Sequence, residues 1–223
     1  MIDERVDYAL RNFFNEKFVY DSGSLSYTII ETSKKGKTRL VVNVGSEESI
    51  CFNTYDKFPK WEILRTEQTI GMRKCIDHFI LRKNTSNIWE LYMFEMKTSV
   101  GFETWQNIKY KMRASYLSIK TLAVYLGIPL QNSNITACTT YEIDKFQTTD
   151  MTSPKILLPK IGGKATDDKN DEWDANIINI PMIVSEDNPY DYKTAVKLRH
   201  KKIKMYRADD GFLEQTFNLP EII

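Results

Sequence analysis

The clearest pattern of apolar and polar positions lies in residues 73–98. Two short apolar runs, rich in β-branched and aromatic residues, flank a polar turn at residues 82–87. This pattern predicts a β-hairpin. Among the charges that interrupt the runs, three draw attention: Asp77 in the first, and Glu95 and Lys97 in the second. Because side chains alternate along a strand, we expect Glu95 and Lys97 to share one face of the hairpin. The opposite face would carry Tyr92, Phe94 and Met96.

Other segments show helical or strand periodicity. Apolar residues spaced by three and four predict amphipathic helices over residues 3–18 and 104–126, the second with Thr104 as its N-cap. Residues 56–70 and 194–207 fit either a helix or a strand. Runs rich in β-branched residues predict strands over 27–32, 39–44, 49–54, 135–143 and, at a sheet edge because Pro181 interrupts it, 177–184.

The three hairpin charges suggest a chemical site. An isolated charge facing a core costs several kcal/mol unless it is paired or binds a metal. If Asp77 lies across the hairpin from Glu95, two carboxylates and one ammonium meet at one point. Two carboxylates can hold a hard divalent cation such as magnesium, and Lys97 can orient a metal-bound water. The alternative is that Asp77 caps a turn while Glu95 and Lys97 form a solvated pair on an exposed face.

These residues resemble the core motif of the PD-(D/E)xK nuclease superfamily, an Asp followed one hairpin later by Glu-x-Lys. Here Gly71 stands six residues before Asp77, and the second part reads Glu95-Met96-Lys97. Ile76 takes the place of the proline in the motif name. The resemblance covers roughly residues 60–128.

The resemblance implies an α/β fold in which a central mixed β-sheet is flanked by helices. The core order would be α-β-β-β-α-β, which agrees with the run of predicted elements, and the last two strands would pair in parallel. It further implies that Asp77, Glu95 and the Met96 carbonyl bind Mg²⁺ or Mn²⁺, and that Lys97 orients the attacking water. Glu67 is a candidate third acidic residue of such a site.

The helix predicted over residues 104–126 carries a cationic face. Lys109, Arg113, Tyr116 and Lys120 follow one another at intervals of three or four residues. Lysine and arginine side chains next to an aromatic ring suit a phosphate backbone, so these three residues are candidate nucleic-acid contacts. The alternative is an ordinary solvated helix face.

Composition narrows the class of protein. The chain has 223 residues, of which 42% are hydrophobic and 27% charged, which is ordinary for a globular protein with a real core. No apolar run approaches the ~20 residues that cross a bilayer. The N-terminus lacks the basic and apolar regions of a signal peptide. Three widely spaced cysteines favour neither a disulfide framework nor a zinc site. We therefore expect a cytoplasmic protein that does not associate with a membrane.

Charge is balanced overall but uneven locally. The net charge is only +1, whereas a protein that grips nucleic acid unaided usually shows a basic excess. Residues 193–207 are strongly basic and residues 167–174 strongly acidic. The basic segment either contacts nucleic acid or pairs internally with the acidic one.

These observations lead to one expected architecture and one expected function. Residues 1–144 would form a restriction-endonuclease-like core, and residues 145–223 a loop-rich, β-rich extension packed on it, within the same domain. The expected function is a Mg²⁺- or Mn²⁺-dependent nuclease acting on DNA or RNA. It would work as a homodimer or as a subunit of a larger complex. The alternative is a catalytically inactive nuclease-like module for nucleic-acid binding or assembly.

Overall fold

The computed structural model of the chain describes residues 2–14, 20–33, 36–57, 74–146, 172–182 and 195–220. Its two long helices are α1 (Glu4–Phe13) and α2 (Phe102–Tyr125). The strands are β1 (Tyr20–Ser22), β2 (Ser26–Ser33), β3 (Gly36–Asn43), β4 (Ser49–Phe52), β5 (His78–Lys83), β6 (Trp89–Met96), β7 (Ser99–Val100), β8 (Ile135–Tyr141), β9 (Ile143–Asp144), β10 (Ile177–Pro181), β11 (Ala195–Lys204), β12 (Tyr206–Arg207) and β13 (Leu213–Asn218). Short 3₁₀ turns lie at Tyr55–Lys57 and Asn132–Asn134.

Seven of the described strands form one mixed sheet, in the order β1-β4-β5-β6-β8-β11-β10. Strands β1, β4, β5 and β6 pair antiparallel in succession, as do β11 and β10 at the other edge. Strand β8 pairs in parallel with β6, and β11 pairs in parallel with β8. Helix α2 lies between β6 and β8 in the chain and makes the long connection that a parallel pair requires. The coarse expectation of an α/β fold around a central mixed sheet is confirmed.

A second sheet of four described strands has the order β12-β13-β3-β2. Strands β2 and β3, at two of the predicted strand positions, form a hairpin in which Tyr27 pairs with Val42 and Ile29 with Leu40. Strand β13 joins this hairpin in parallel with β3. Strands β7 and β9 form a separate two-stranded pair.

The core lies on both faces of the seven-stranded sheet. On one face α1 and α2 pack against β4, β5, β6 and β8 through a large apolar cluster that includes Leu10, Phe79, Met93 and Trp105. On the other face the four-stranded sheet covers a second cluster that includes Ile29, Leu40, Phe94 and Ile203. The molecule therefore has a helical layer, a central sheet and a smaller sheet.

Helix boundaries differ slightly from those predicted. Helix α1 begins after Asp3, whose carboxylate accepts a hydrogen bond from the Arg5 backbone N–H at 2.9 Å, and it ends at Phe13. Helix α2 begins at Phe102 after Gly101, which has no side chain to cap it, so Thr104 as N-cap was wrong. Its stop at Gly127, with φ +68°, is the left-handed conformation that favours glycine after a helix.

The two segments that fitted either helix or strand have different outcomes. Residues 195–207 form β11 and β12, so the strand interpretation is right there. Residues 58–70 lie outside the described part of the chain. The predicted edge strand is β10, which ends at Pro181 and occupies the border of the seven-stranded sheet. Among helices in the described part of the chain, none is long and apolar enough to cross a membrane.

Candidate active site

The β5–β6 hairpin brings Asp77 beside the end of β6. In its register His78 pairs with Phe94, so Asp77, one residue earlier, lies next to Glu95 and Met96. The Met96 backbone N–H donates to Asp77 Oδ2 at 2.7 Å. Asp77 is 5% exposed and Glu95 0%, so both carboxylates are buried. The alternative in which Glu95 belongs to a solvated surface pair is wrong.

Strand alternation places these carboxylates on the helix side of the sheet. Met93 belongs to the apolar cluster under α1 and α2, and Glu95 follows it at the two-residue spacing of one strand face. Phe94 and Met96 belong instead to the cluster between the two sheets. The predicted division of β6 into two faces is therefore confirmed.

Two lysines converge on the carboxylates. Lys97 Nζ donates to Glu95 Oε1 and, at 3.0 Å, to the Met96 carbonyl oxygen. Lys111, which lies on α2, places its Nζ 2.7 Å from Glu95 Oε1 and 3.5 Å from Asp77 Oδ1. Both carboxylates thus lie within 3.5 Å of a single ammonium group.

The site is electrostatically coupled. Burial raises the pKa of Glu95, and the nearby Asp77 carboxylate raises it further, while Lys97 and Lys111 oppose both effects. For Lys111, burial opposes the charged form, but Glu95 and Asp77 more than offset it and raise the pKa of the ammonium above its ordinary range. Within the described residues, Glu95 Oε2 is buried without a hydrogen-bond partner. One ligand-capable oxygen therefore remains unsatisfied.

The half-buried Glu31 and the buried His78 lie near the site, on the side facing the second sheet. His78 Nδ1 accepts a hydrogen bond from the Thr54 backbone N–H at 3.0 Å, so a neutral ring carries its proton on Nε2. That Nε2 is 3.9 Å from Glu31 Oε2. Burial lowers the pKa of His78 to about 4. Burial also raises the pKa of Glu31, and the Asp77 carboxylate adds to this effect.

The predicted metal ligands can be tested against their neighbours. Asp77 Oδ1, Glu95 Oε1 and the Met96 carbonyl oxygen are all hard oxygen donors, the type that Mg²⁺ and Mn²⁺ prefer. Each of these three oxygens accepts from a lysine ammonium. The arrangement fits a cation by donor type and position. Within the described residues, however, no group of three or more His, Cys, Asp or Glu side chains is placed to hold a metal ion.

The remaining predicted site residues lie elsewhere or outside the description. Glu67 falls outside the described residues. On α2, Lys109 is 1% exposed and forms an ion pair with Glu172 at 2.7 Å. Arg113 is 5% exposed and lies over the Tyr110 ring at 5.8 Å. Lys120 donates to Asn132 Oδ1 at 3.0 Å. The burial of the first two does not favour a phosphate-binding face, and contact with nucleic acid by these residues stays a prediction.

The sequence analysis did not identify Lys111, which belongs to the site, or Glu31, which lies near it. Lys111 directly precedes Met112, so it borders the apolar stripe of α2 and can reach the sheet with a long side chain. Glu31 follows Tyr27 and Ile29 at two-residue spacing, which puts a carboxylate on the buried face of β2. Glu95 was identified as a candidate because it is an acid on the buried face of a strand. The same criterion would have identified Glu31.

A scan against protein-family models matched no family, and searches of curated proteins and of solved structures returned no match.

Proposed function

We propose that this protein is a metal-dependent nuclease that hydrolyses phosphodiester bonds of DNA or RNA on a PD-(D/E)xK-like core. One observation carries the proposal: Asp77 and Glu95 lie within 3.5 Å of one cation, the Lys111 ammonium. Lys97 binds the same Glu95 oxygen. The antiparallel run β4-β5-β6, followed by α2 and the parallel strand β8, also supports such a core.

Each residue has a distinct task in this proposal. Asp77, Glu95 and the Met96 carbonyl would hold Mg²⁺ or Mn²⁺, which supplies positive charge to the scissile phosphate and acidifies a bound water. The Met96 N–H donates to Asp77 Oδ2, while Asp77 Oδ1 faces the Lys111 ammonium that also contacts Glu95. Lys97 orients the attacking water and holds a proton near it. Lys111 balances the buried negative charge.

The test separates metal binding from chemistry. Wild-type protein is expected to cleave single- or double-stranded nucleic acid with Mg²⁺ or Mn²⁺ and to be inactive in chelator. Asp77→Asn and Glu95→Gln should abolish cleavage because each removes a charged ligand. Lys97→Ala should still bind metal but lose a factor of about 10²–10⁴ in turnover, the usual range for a positioned proton-transfer group. Calorimetric metal titration alongside a nuclease assay measures both.

Matched controls come from α2. Glu103→Gln removes an exposed carboxylate and should bind metal and cleave as wild type does. Lys120→Ala removes an ammonium that donates to Asn132 and lies over the Tyr116 ring, so it should bind metal as wild type does. A wild-type protein that neither binds metal nor cleaves would end the catalytic proposal.

A second candidate function is a nuclease-like module for nucleic-acid binding or assembly, without catalysis. The observation in its favour is charge balance: Lys97 and Lys111 already neutralise Asp77 and Glu95. The same titration decides, because a module of this kind binds nucleic acid without metal and leaves it intact. A homodimer or a larger complex, and a cytoplasmic location, belong to this proposal as predictions.

A further inference from the structure

The basic strand β11 has two chemically different faces. Leu198 belongs to the apolar cluster on the helix side of the sheet, and Lys202 shares its face at even spacing. Ile203 belongs to the cluster between the sheets, and it shares its face with Lys197, Arg199 and Lys201. Alternation therefore divides the basic segment into two sets of cations.

On the helix side of the sheet, Lys202 forms contacts within the protein. Lys202 Nζ forms an ion pair with Asp174 and lies 3.7 Å from Asp144. It also lies over the Trp173 ring at 4.9 Å. Asp174 belongs to the acidic segment predicted as one possible partner of the basic strand. Internal pairing thus accounts for Lys202, the half-buried cation of this face.

The cations on the other face of β11 have no ion-pair partner among the described residues. We call Lys197, Arg199 and Lys201 the cationic ladder, since they project from one face at two-residue intervals. Lys197 and Lys201 are exposed and Arg199 is half-buried. Among the described residues, none of the three forms an ion pair.

The strands on either side of the ladder offer no counter-charge. On β8, the residues beside Arg199 and Lys201 are Thr136 and Cys138. On β10, the residues beside Arg199 and Lys197 are Ile177 and Asn179. A row of three cations beside uncharged residues repels itself, and this repulsion is relieved when an anion binds. The ladder is about 13 Å long, from the ~3.3 Å rise per residue of a strand.

We propose that the cationic ladder binds the phosphate backbone of a nucleic acid. A repeating polyanion matches a repeating row of cations, and phosphate contacts need no particular base sequence. The ladder lies on the sheet face opposite the Asp77–Glu95 carboxylates, so it is a separate surface that holds the nucleic acid rather than a part of the reactive site. The inference extends the proposed nuclease function but needs only binding, not cleavage.

The test compares the two faces of one strand. Lys197→Gln/Lys201→Gln removes two ladder charges, while Lys202→Gln/Lys204→Gln removes two from the other face and is the matched control. Binding of a labelled oligonucleotide is measured by fluorescence anisotropy in chelator, over a series of salt concentrations, and folding is checked by thermal denaturation. The ladder variant should lose about 1.4 units of log–log salt slope on single strands, or about 1.8 on duplex, while the control keeps the wild-type slope.

The outcomes distinguish this proposal from the catalytic one. The proposal is wrong if the salt slope of binding is the same in wild type and the ladder variant. It is also wrong if the ladder variant and the control variant lose the same amount of slope. Competition is also informative. If polyglutamate displaced the labelled oligonucleotide as effectively as unlabelled oligonucleotide does, an acidic polypeptide would be the better-supported partner and the proposal would be overturned. Wild type that binds in chelator but never cleaves with metal removes only the nuclease proposal. If wild type cleaves but the ladder variant binds the oligonucleotide as wild type does, only the proposal of phosphate binding by the cationic ladder is rejected.

Discussion

Lys111 acts as an internal counter-ion for two buried carboxylates. Its ammonium contacts the same oxygens of Asp77 and Glu95 that a divalent cation would use. A metal that enters the site must therefore displace this ammonium or share those oxygens with it. The lysine that stabilises the metal-free fold is expected to weaken metal binding.

A substitution at Lys111 tests this competition. Lys111→Met keeps the length of the side chain and removes the charge. In chelator, we expect the free energy of unfolding to fall by about 1.5–3 kcal/mol, the contribution of a hydrogen bond to a charged group. Calcium affinity should rise, because no ammonium competes for Glu95 Oε1. Chemical denaturation in chelator and calorimetric calcium titration measure the two effects.

Lys120→Met is the matched control on the same helix. Its ammonium donates to Asn132 and is remote from the carboxylates, so both quantities should stay near wild type. Calcium affinity that is unchanged or lower in Lys111→Met would contradict the competition between ammonium and metal.

At the residue scale, much of the candidate site was predictable from sequence. Asp77, Glu95 and Lys97 interrupt apolar runs, and strand alternation assigns the last two to one face. Their proximity follows from the short hairpin, because its register fixes Asp77 near Glu95. Lys111 was not predictable in the same way, since its place depends on how α2 is rotated against the sheet.

At the element scale, the surroundings of α2 explain why the sequence did not predict how this helix is rotated against the sheet. Its 24 residues carry buried side chains well beyond a single apolar stripe, and Lys109 and Arg113 are among them. The helix is covered on one side by the sheet and on another by the segment that contains Glu172 and Trp173. Lys109 and Arg113, which the sequence spacing placed on an exposed cationic face for contact with phosphate or solvent, are therefore buried. The partner that buries them is distant in the chain, so local periodicity cannot reveal it.

The contact between α2 and β11 gives a pH-dependent prediction. His200 on β11 packs against Trp105 and Trp173, with ring centroids 4.9 and 5.4 Å away. Its Nε2 lies 3.3 Å from Thr139 Oγ1. Burial lowers the pKa of His200 to about 4; the Ala175 backbone and the Asp174 charge act in the opposite direction, and Lys202 lowers it further.

The sign of the effect follows from proton binding. Between pH 6.5 and 4 the unfolded chain binds a proton at this histidine, whereas the folded protein does not. Stability is therefore lost as the pH falls through that window, by up to about 1.4 kcal/mol per pH unit from this group. His200→Phe keeps an aromatic ring and removes the titration, so its stability should fall less steeply.

Denaturant unfolding at several pH values checks this prediction. Other groups titrate in the same window, but they are common to both proteins and cancel in the difference between them. Equal slopes for wild type and His200→Phe would mean that His200 is protonated in the folded protein as easily as in the unfolded chain.

At the scale of the whole molecule, the chain after residue 145 helps to build both sheets. Strand β11 lies inside the seven-stranded sheet, between β8 and β10. Strand β13 pairs with β3, and in this register Leu213 lies beside Thr38. The sequence predicted strands in this region and their packing on residues 1–144. It could not identify their partners, because parallel pairing across such a distance leaves no local pattern.

This arrangement predicts that residues 1–144 do not fold alone, although they contain the run β4-β5-β6, α2 and β8. Ile203, Met205, Leu213 and Leu219 each lie at most 6% exposed in the cluster between the sheets. Burial of such a side chain contributes about 1.5–3 kcal/mol, so the four together approach the typical net stability of about 5–15 kcal/mol. The full chain should unfold in one cooperative transition, and a fragment of residues 1–144 in none. Adding a fragment of residues 145–223 should restore the transition. Circular dichroism during thermal unfolding measures this, and a cooperative transition in the shorter fragment alone would show that residues 1–144 are an independent domain.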